Sequence, residues 1–151
     1  MVDRHVAELT DLATSVQAGE FARADLVFYG VDHSLDSYEG RVYLNDAEAG
    51  AQTGRDKPTY VGSFHIFGHG GCFGDLGHCD IPSGPRDPFD LRPPHQLTPV
   101  AKVVIVTEGL RRCLAEAQDK SRLTVTVVAV VPGEAGNEVL RFQEVRLLAY
   151  R

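Results

Sequence analysis

From residue 2 to residue 18 the apolar residues Val6, Leu9, Leu12, Ala13 and Val16 recur at steps of three and four, the spacing that lines one face of a helix. This predicts an N-terminal helix over 1–18, a packing or interface element without clustered polar groups. After Gly19 the pattern changes. Segments 24–31, 40–44 and 60–67 alternate or run continuously in β-branched and aromatic residues, which predicts strands. Between them, 33–37 (HSLDS) and 45–58 (NDAEAGAQTGRDKP) concentrate turn formers and charge, so a tight and a mobile surface connection are expected. A strand over 101–106 follows. Thr107 then caps a short helix with Leu110, Cys113, Leu114 and Ala117 on one face, where Cys113 reads as a small buried hydrophobe. Residues 123–131 alternate threonine and valine before turning wholly apolar, and after the turn PGEAGN the last strand spans 139–150.

The sum is about six strands, an N-terminal helix and one short internal helix, with no βαβ rhythm and no repeat. A mostly-β fold follows, an antiparallel β-sandwich or flattened barrel in a single domain over 1–151. The 151 residues, 43% of them hydrophobic, suffice for a real core. A net charge of -6 lacks the positive surface that nucleic acid requires. No apolar run reaches the roughly 18 residues of a membrane span, and the charged start MVDRHVAELT lacks the apolar stretch of a signal peptide. The expected location is cytoplasmic. Three cysteines do not make a disulfide scaffold, so reduced thiols or a metal are expected.

One segment departs from this ordinary pattern. Residues 68–99 hold six glycines and six prolines with little periodicity, and so long a loop within a domain is functional or disordered. Order is expected, with Phe73, Leu76, Ile81, Phe89 and Leu91 pinning the loop and its prolines limiting the entropy lost. His65, His69, Cys72, His78, Cys79 and His95 gather in and beside this stretch. Imidazole and thiolate ligands two to six residues apart suit copper or zinc, and the glycines permit the backbone to wrap an ion. No compact C-x-x-C is present, and the adjacent His78 and Cys79 are poorly placed to chelate one ion. Without a metal, His65 and His95 are surface residues, and Cys72 and Cys79 form a loop-closing disulfide or remain thiols. Asp75, Asp80 and Asp87 are the available bases for hydrolysis at an open metal site. In RDPFDLR, Asp87 and Asp90 beside Arg86 and Arg92 read as solvated salt bridges. There is no G-x-S-x-G, P-loop or H-E-x-x-H, and GHGGCFG is not followed by the helix of a dinucleotide site.

The words DLVFYGV at 25–31, YVGSFHIFGHG at 60–70, TEGLRRCLAEA at 107–117 and SRLTVTVVAVVP at 121–132 together resemble the C-terminal domain of polyphenol oxidases, which follows their type-3 copper core. The most distinctive is Gly62-Ser63-Phe64, and the likeness spans about residues 22–150. It implies a β-sandwich that packs over the entrance of a binuclear copper site and restrains the oxidase without doing chemistry. The six histidines do not supply the two sets of three that such a copper pair takes, with His5 and His33 in unrelated segments, so the chain is not itself a tyrosinase. The longer, Cys-containing segment 68–95 departs from the family pattern and sets a pure shielding role in doubt.

The leading expectation is therefore a non-catalytic accessory protein that binds or shields a partner copper oxidase and handles metal through its His/Cys loop. Nucleic acid and membrane are not expected partners. The alternative is a small metalloenzyme with a mononuclear Zn or Cu site in the 65–80 loop. A third reading is a self-associating homo-oligomer joined through strand edges.

Overall fold

The computed structural model describes residues 3–70, 74–91, 95–133 and 138–151. The elements run β1 (Arg4–Leu9), α1 (Thr14–Gln17), β2 (Arg23–Val31), β3 (Tyr38–Leu44), β4 (Tyr60–Ile66), β5 (Val100–Ile105), α2 (Thr107–Glu116), β6 (Leu123–Val130) and β7 (Glu144–Tyr150). One sheet has the strand order β1-β6-β3-β4 and the other β5-β2-β7. Every pairing is antiparallel. The fold is mostly β, as the residue pattern predicts, but among the described residues it holds seven strands rather than six, with two helices.

The extra strand replaces the expected N-terminal helix. Residues 4–9 pair along β6 in the register Val6↔Thr126 and Leu9↔Leu123, and only Thr14–Gln17 is helical. The reason lies in β6, which is buried on both faces through most of its length. Without β1, its margin would leave buried N–H and C=O groups unpaired. A helix satisfies its own backbone and has no such partners to give, so the sheet overrides the helical spacing.

The two sheets bury one core between them. Ala24, Leu26 and Phe28 of β2, Val104 of β5 and Val145 of β7 meet Val42, Leu44, Phe64, Ile66, Val125 and Val127 of the larger sheet. Leu110, Cys113 and Leu114 of α2 join the same cluster, as their helical spacing predicts. Thr107, however, is not the cap: Val106 holds that position. Thr107 Oγ1 instead accepts the Ala24 N–H at 3.1 Å and ties the helix to β2.

Two connections also differ from expectation. The 45–58 segment, expected to be mobile, packs on the outer face of the larger sheet, where Ala49 is buried with Tyr43 and Val128. Tyr43 Oη donates to Thr53 O at 2.8 Å, and Lys57 pairs with Asp46 at 2.6 Å. An apolar outer face needed a cover, and this segment is it. At the other end, β7 starts only at Glu144. The N–H groups of Val139 and Leu140 donate to Asp3 Oδ2 at 2.6 and 2.9 Å, outside any ladder.

Gly40 and Phe64 are directly opposed on β3 and β4. A Cβ on Gly40 would lie 2.5 Å from Phe64 Cζ, so the bare glycine is the floor on which the ring rests. Gly40→Ala is expected to lower stability by about 1–3 kcal/mol through overpacking, read as a lower urea midpoint. The alanine variant at Gly19, a site with open space around it and φ of 74°, should lose less, about 1 kcal/mol.

Glu39 of β3 receives Arg55 at 2.7 Å and Arg41 at 3.1 Å. Burial raises its carboxyl pKa, but hydrogen bonds from Arg55, Arg41 and Ser63 outweigh this and hold it below its ordinary 4.5. A depressed carboxylate stabilises the fold above its unfolded pKa, and that contribution disappears as the pH falls through the folded value. Glu39→Gln should thus cost about 1 kcal/mol at pH 7, with the difference from wild type vanishing in denaturation curves as the pH falls through the folded value of Glu39.

Candidate functional site

The Gly/Pro-rich loop leaves β4 and returns as β5, and both of its ends are fastened to the turn between β2 and β3. At the outgoing end, the Gly68 N–H donates to Ser37 Oγ at 3.0 Å and the His69 N–H to His33 O at 2.9 Å. At the returning end, His33 Nε2 meets Thr98 O at 2.9 Å, beside the buried Leu97. One short turn, 32–37, therefore anchors the whole loop. Asp32 shapes that turn by accepting the Ser34 N–H at 2.8 Å. Burial raises its carboxyl pKa, but the hydrogen bonds of Ser34 and the charge of Arg141 bring it below 3.8.

The candidate ligands scatter along this frame. His65 is exposed on β4, opposite Glu39. His69 is half-buried, and its ring lies 5.0 Å from that of His33 at 71°. His95 Nε2 bonds His78 O at 3.0 Å, and its Nδ1 accepts the Leu97 N–H at 3.2 Å, so both nitrogens of the His95 ring are engaged. Cys79 is disulfide-bonded, the first of the two alternatives open for it, and this removes its thiolate from any ligand set. Cys72 lies outside the described residues. Cys113 is a free, buried thiol, its pKa raised by burial.

Among the described residues, no three His, Cys, Asp or Glu side chains come together to hold an ion. The histidines meet in pairs, His33 with His69 and His78 with His95, while His5 packs against Phe142 at 4.7 Å. These residues do not fit a type-3 copper pair. His33, the residue that organises the site, stands apart from the His/Cys stretch along the chain. Its signal was the β3–β4 hairpin: the register Tyr38↔Ile66, extended outward, brings the turn before β3 to the residues after β4.

The described apolar residues expected to pin the loop do not, and even Ile81 is 42% exposed. Leu76, Phe89 and Leu91 are 106%, 89% and 94% exposed, and Phe67 at the loop's root is 84% exposed. Phe73 lies outside the described residues. The polar fastenings described above hold the loop instead, helped by Arg86–Asp90 at 3.6 Å and by Asp87 Oδ1 accepting the Phe89 N–H at 2.8 Å. The loop thus presents apolar side chains outward from a polar anchorage. The open groove beside Glu8, Asn45, Ala117, Asp119 and Arg122 contains none of these residues. No helix among the described residues is long and apolar enough to cross a membrane.

No protein-family model matches the sequence, and no curated protein sequence matches it. Solved structures do match. Latent aurone synthase (polyphenol oxidase) from natural source aligns over 98% of this chain and 24% of its own, with a TM-score of 0.58 and 15% identity. The recombinantly expressed latent aurone synthase (polyphenol oxidase) aligns over 98% and 24%, with a TM-score of 0.56 and 17% identity. The chain spans about a quarter of the length of these oxidases. The resemblance read from the sequence is met at the level of fold.

If the Cys79 disulfide and the turn together hold the loop, Cys79→Ser should speed proteolytic cleavage within 74–91. The cooperative unfolding of the sheets should change little, since the core residues are elsewhere. Mass spectrometry of timed digests beside a thermal melt checks both halves.

Proposed function

We propose that this chain is a non-catalytic domain that binds a type-3 copper oxidase core and covers the entrance to its copper pair. The observation that carries this is the fold likeness along 98% of the chain to a region making up 24% of latent aurone synthase. Phe67, Leu76, Phe89 and Leu91 supply a contact surface of the right chemistry, since large apolar side chains left in water gain roughly 1.5–3 kcal/mol each on burial. The anchored ends of the loop lower the entropy cost of docking. A disulfide at Cys79 is of a kind that persists in oxidising compartments, so the proposal does not adopt the cytoplasmic location expected from composition.

Mixing the chain with an oxidase core that lacks its corresponding domain should give a complex in sedimentation and a slower oxidation of phenols. The double variant Phe89→Ser with Leu91→Ser should weaken association about a hundredfold, as loss of roughly 3 kcal/mol of interface anchoring predicts. Absence of any complex, or an unchanged oxidation rate in its presence, would overturn the reading.

A further inference from the structure

The His33–His69 pair is not used by the shielding role. A carbonyl oxygen only accepts, so His33 Nε2 carries the proton it shares with Thr98 O at 2.9 Å. By the same rule His69 Nδ1 donates to His33 O at 3.3 Å. In neutral rings this leaves His33 Nδ1 and His69 Nε2 with lone pairs, and neither has a hydrogen-bond partner among the described residues. Ligating histidines are set up in this way, with one N–H held by a carbonyl and the other nitrogen turned over to the metal. The ring centroids are 5.0 Å apart. Two imidazoles bound to one ion at about 2.0–2.1 Å hold their centroids roughly 5 Å apart when the angle at the ion is near tetrahedral.

We propose that His33 and His69 form a two-imidazole site for a borderline transition ion, Zn(II) or Cu(II), whose remaining positions are filled by water. Imidazole suits both ions. The surroundings favour a cation. The Asp36 carboxylate lies against the residue after His69, where a Cβ on Gly70 would come within 2.6 Å of Asp36 Oδ1. No third protein ligand is gathered there among the described residues, so the site is open. This moves the metal chemistry from the loop's His/Cys cluster to its anchorage, with His69 the one residue common to both.

The test titrates the untagged full chain with zinc chloride and, separately, with copper(II) chloride in a calorimeter, and records pulsed electron paramagnetic resonance of the copper form. One equivalent should bind, the copper spectrum should show coupling to the remote nitrogens of two imidazoles, and His69→Ala should weaken binding at least tenfold. His33→Ala should do the same, but it also removes the bond to Thr98. For that reason His69→Ala, which loses only the longer 3.3 Å bond, and the spectrum of the unmodified protein decide the matter. His65→Ala and His78→Ala should leave the affinity unchanged. No saturable binding, an affinity indifferent to His69→Ala, or a spectrum with fewer than two coupled imidazoles would overturn the proposal. None of these measurements uses an oxidase, so failure here is distinct from failure of the docking reading.

Discussion

The ring of Phe64 lying on the bare backbone of Gly40 is the contact from which the rest of the arrangement follows. From that seat Phe64 reaches Phe28 of the opposite sheet with centroids 5.0 Å apart, and Tyr38 at 6.1 Å. Phe28 in turn meets Phe142 at 5.4 Å, and Phe142 meets His5 of β1 at 4.7 Å. One chain of edge-on and tilted rings thus runs from β4 through β2 to β1, tying both sheets together with the directional preferences of aromatic pairs. Because it fixes β4 against β3, it also fixes where the chain emerges after Ile66. The meeting of His69 with His33 is a consequence of that register.

The word Gly62-Ser63-Phe64 was legible in the sequence as distinctive, and each of its residues answers a separate demand. Gly62 has φ of 148° and stands where a Cβ would be 2.7 Å from Val104 Cγ1, so β4 and β5 approach closely there. The register shifts between Val42 and Tyr43 at the same point, leaving an extra residue in β4 as a bulge does. Ser63 supports Glu39, and Phe64 fills the space above Gly40. The central strands were legible because their burial and their residue types agree. Residues 4–9, 45–58 and 139–143 were not, because what decides them is distant: the open margin of β6, the apolar outer face beneath Ala49, and the carboxylate of Asp3.

The candidate site was half legible for the same reason. The sequence shows which residues have chemistry, and the loop does contain them, but closeness along the chain is a poor guide to closeness in space. His78 and Cys79 are adjacent, yet one is exposed with its carbonyl holding His95 and the other is disulfide-bonded. His33 and His69 are 36 residues apart and in ring contact. For the apolar loop residues, hydrophobicity is no guide to burial. Phe89 and Leu91 are instead carried outward by a backbone whose own hydrogen bonds close on polar partners.

Placement explains how so long a loop coexists with a well-ordered core. It joins β4, a margin of one sheet, to β5, a margin of the other, so it crosses between sheets and interrupts no ladder. Closing a longer loop costs little more than closing a shorter one, because the entropy grows only with the logarithm of length. The two ends are set by the same turn, through His33 O and the His33 ring, so the span between them is fixed whatever the loop contains. Residues 74–91 can therefore change in composition and exposure without disturbing the aromatic chain that holds the sheets. The loop's surface is thereby uncoupled from folding, except at His33, where the anchorage of the loop and the proposed ion share one imidazole ring.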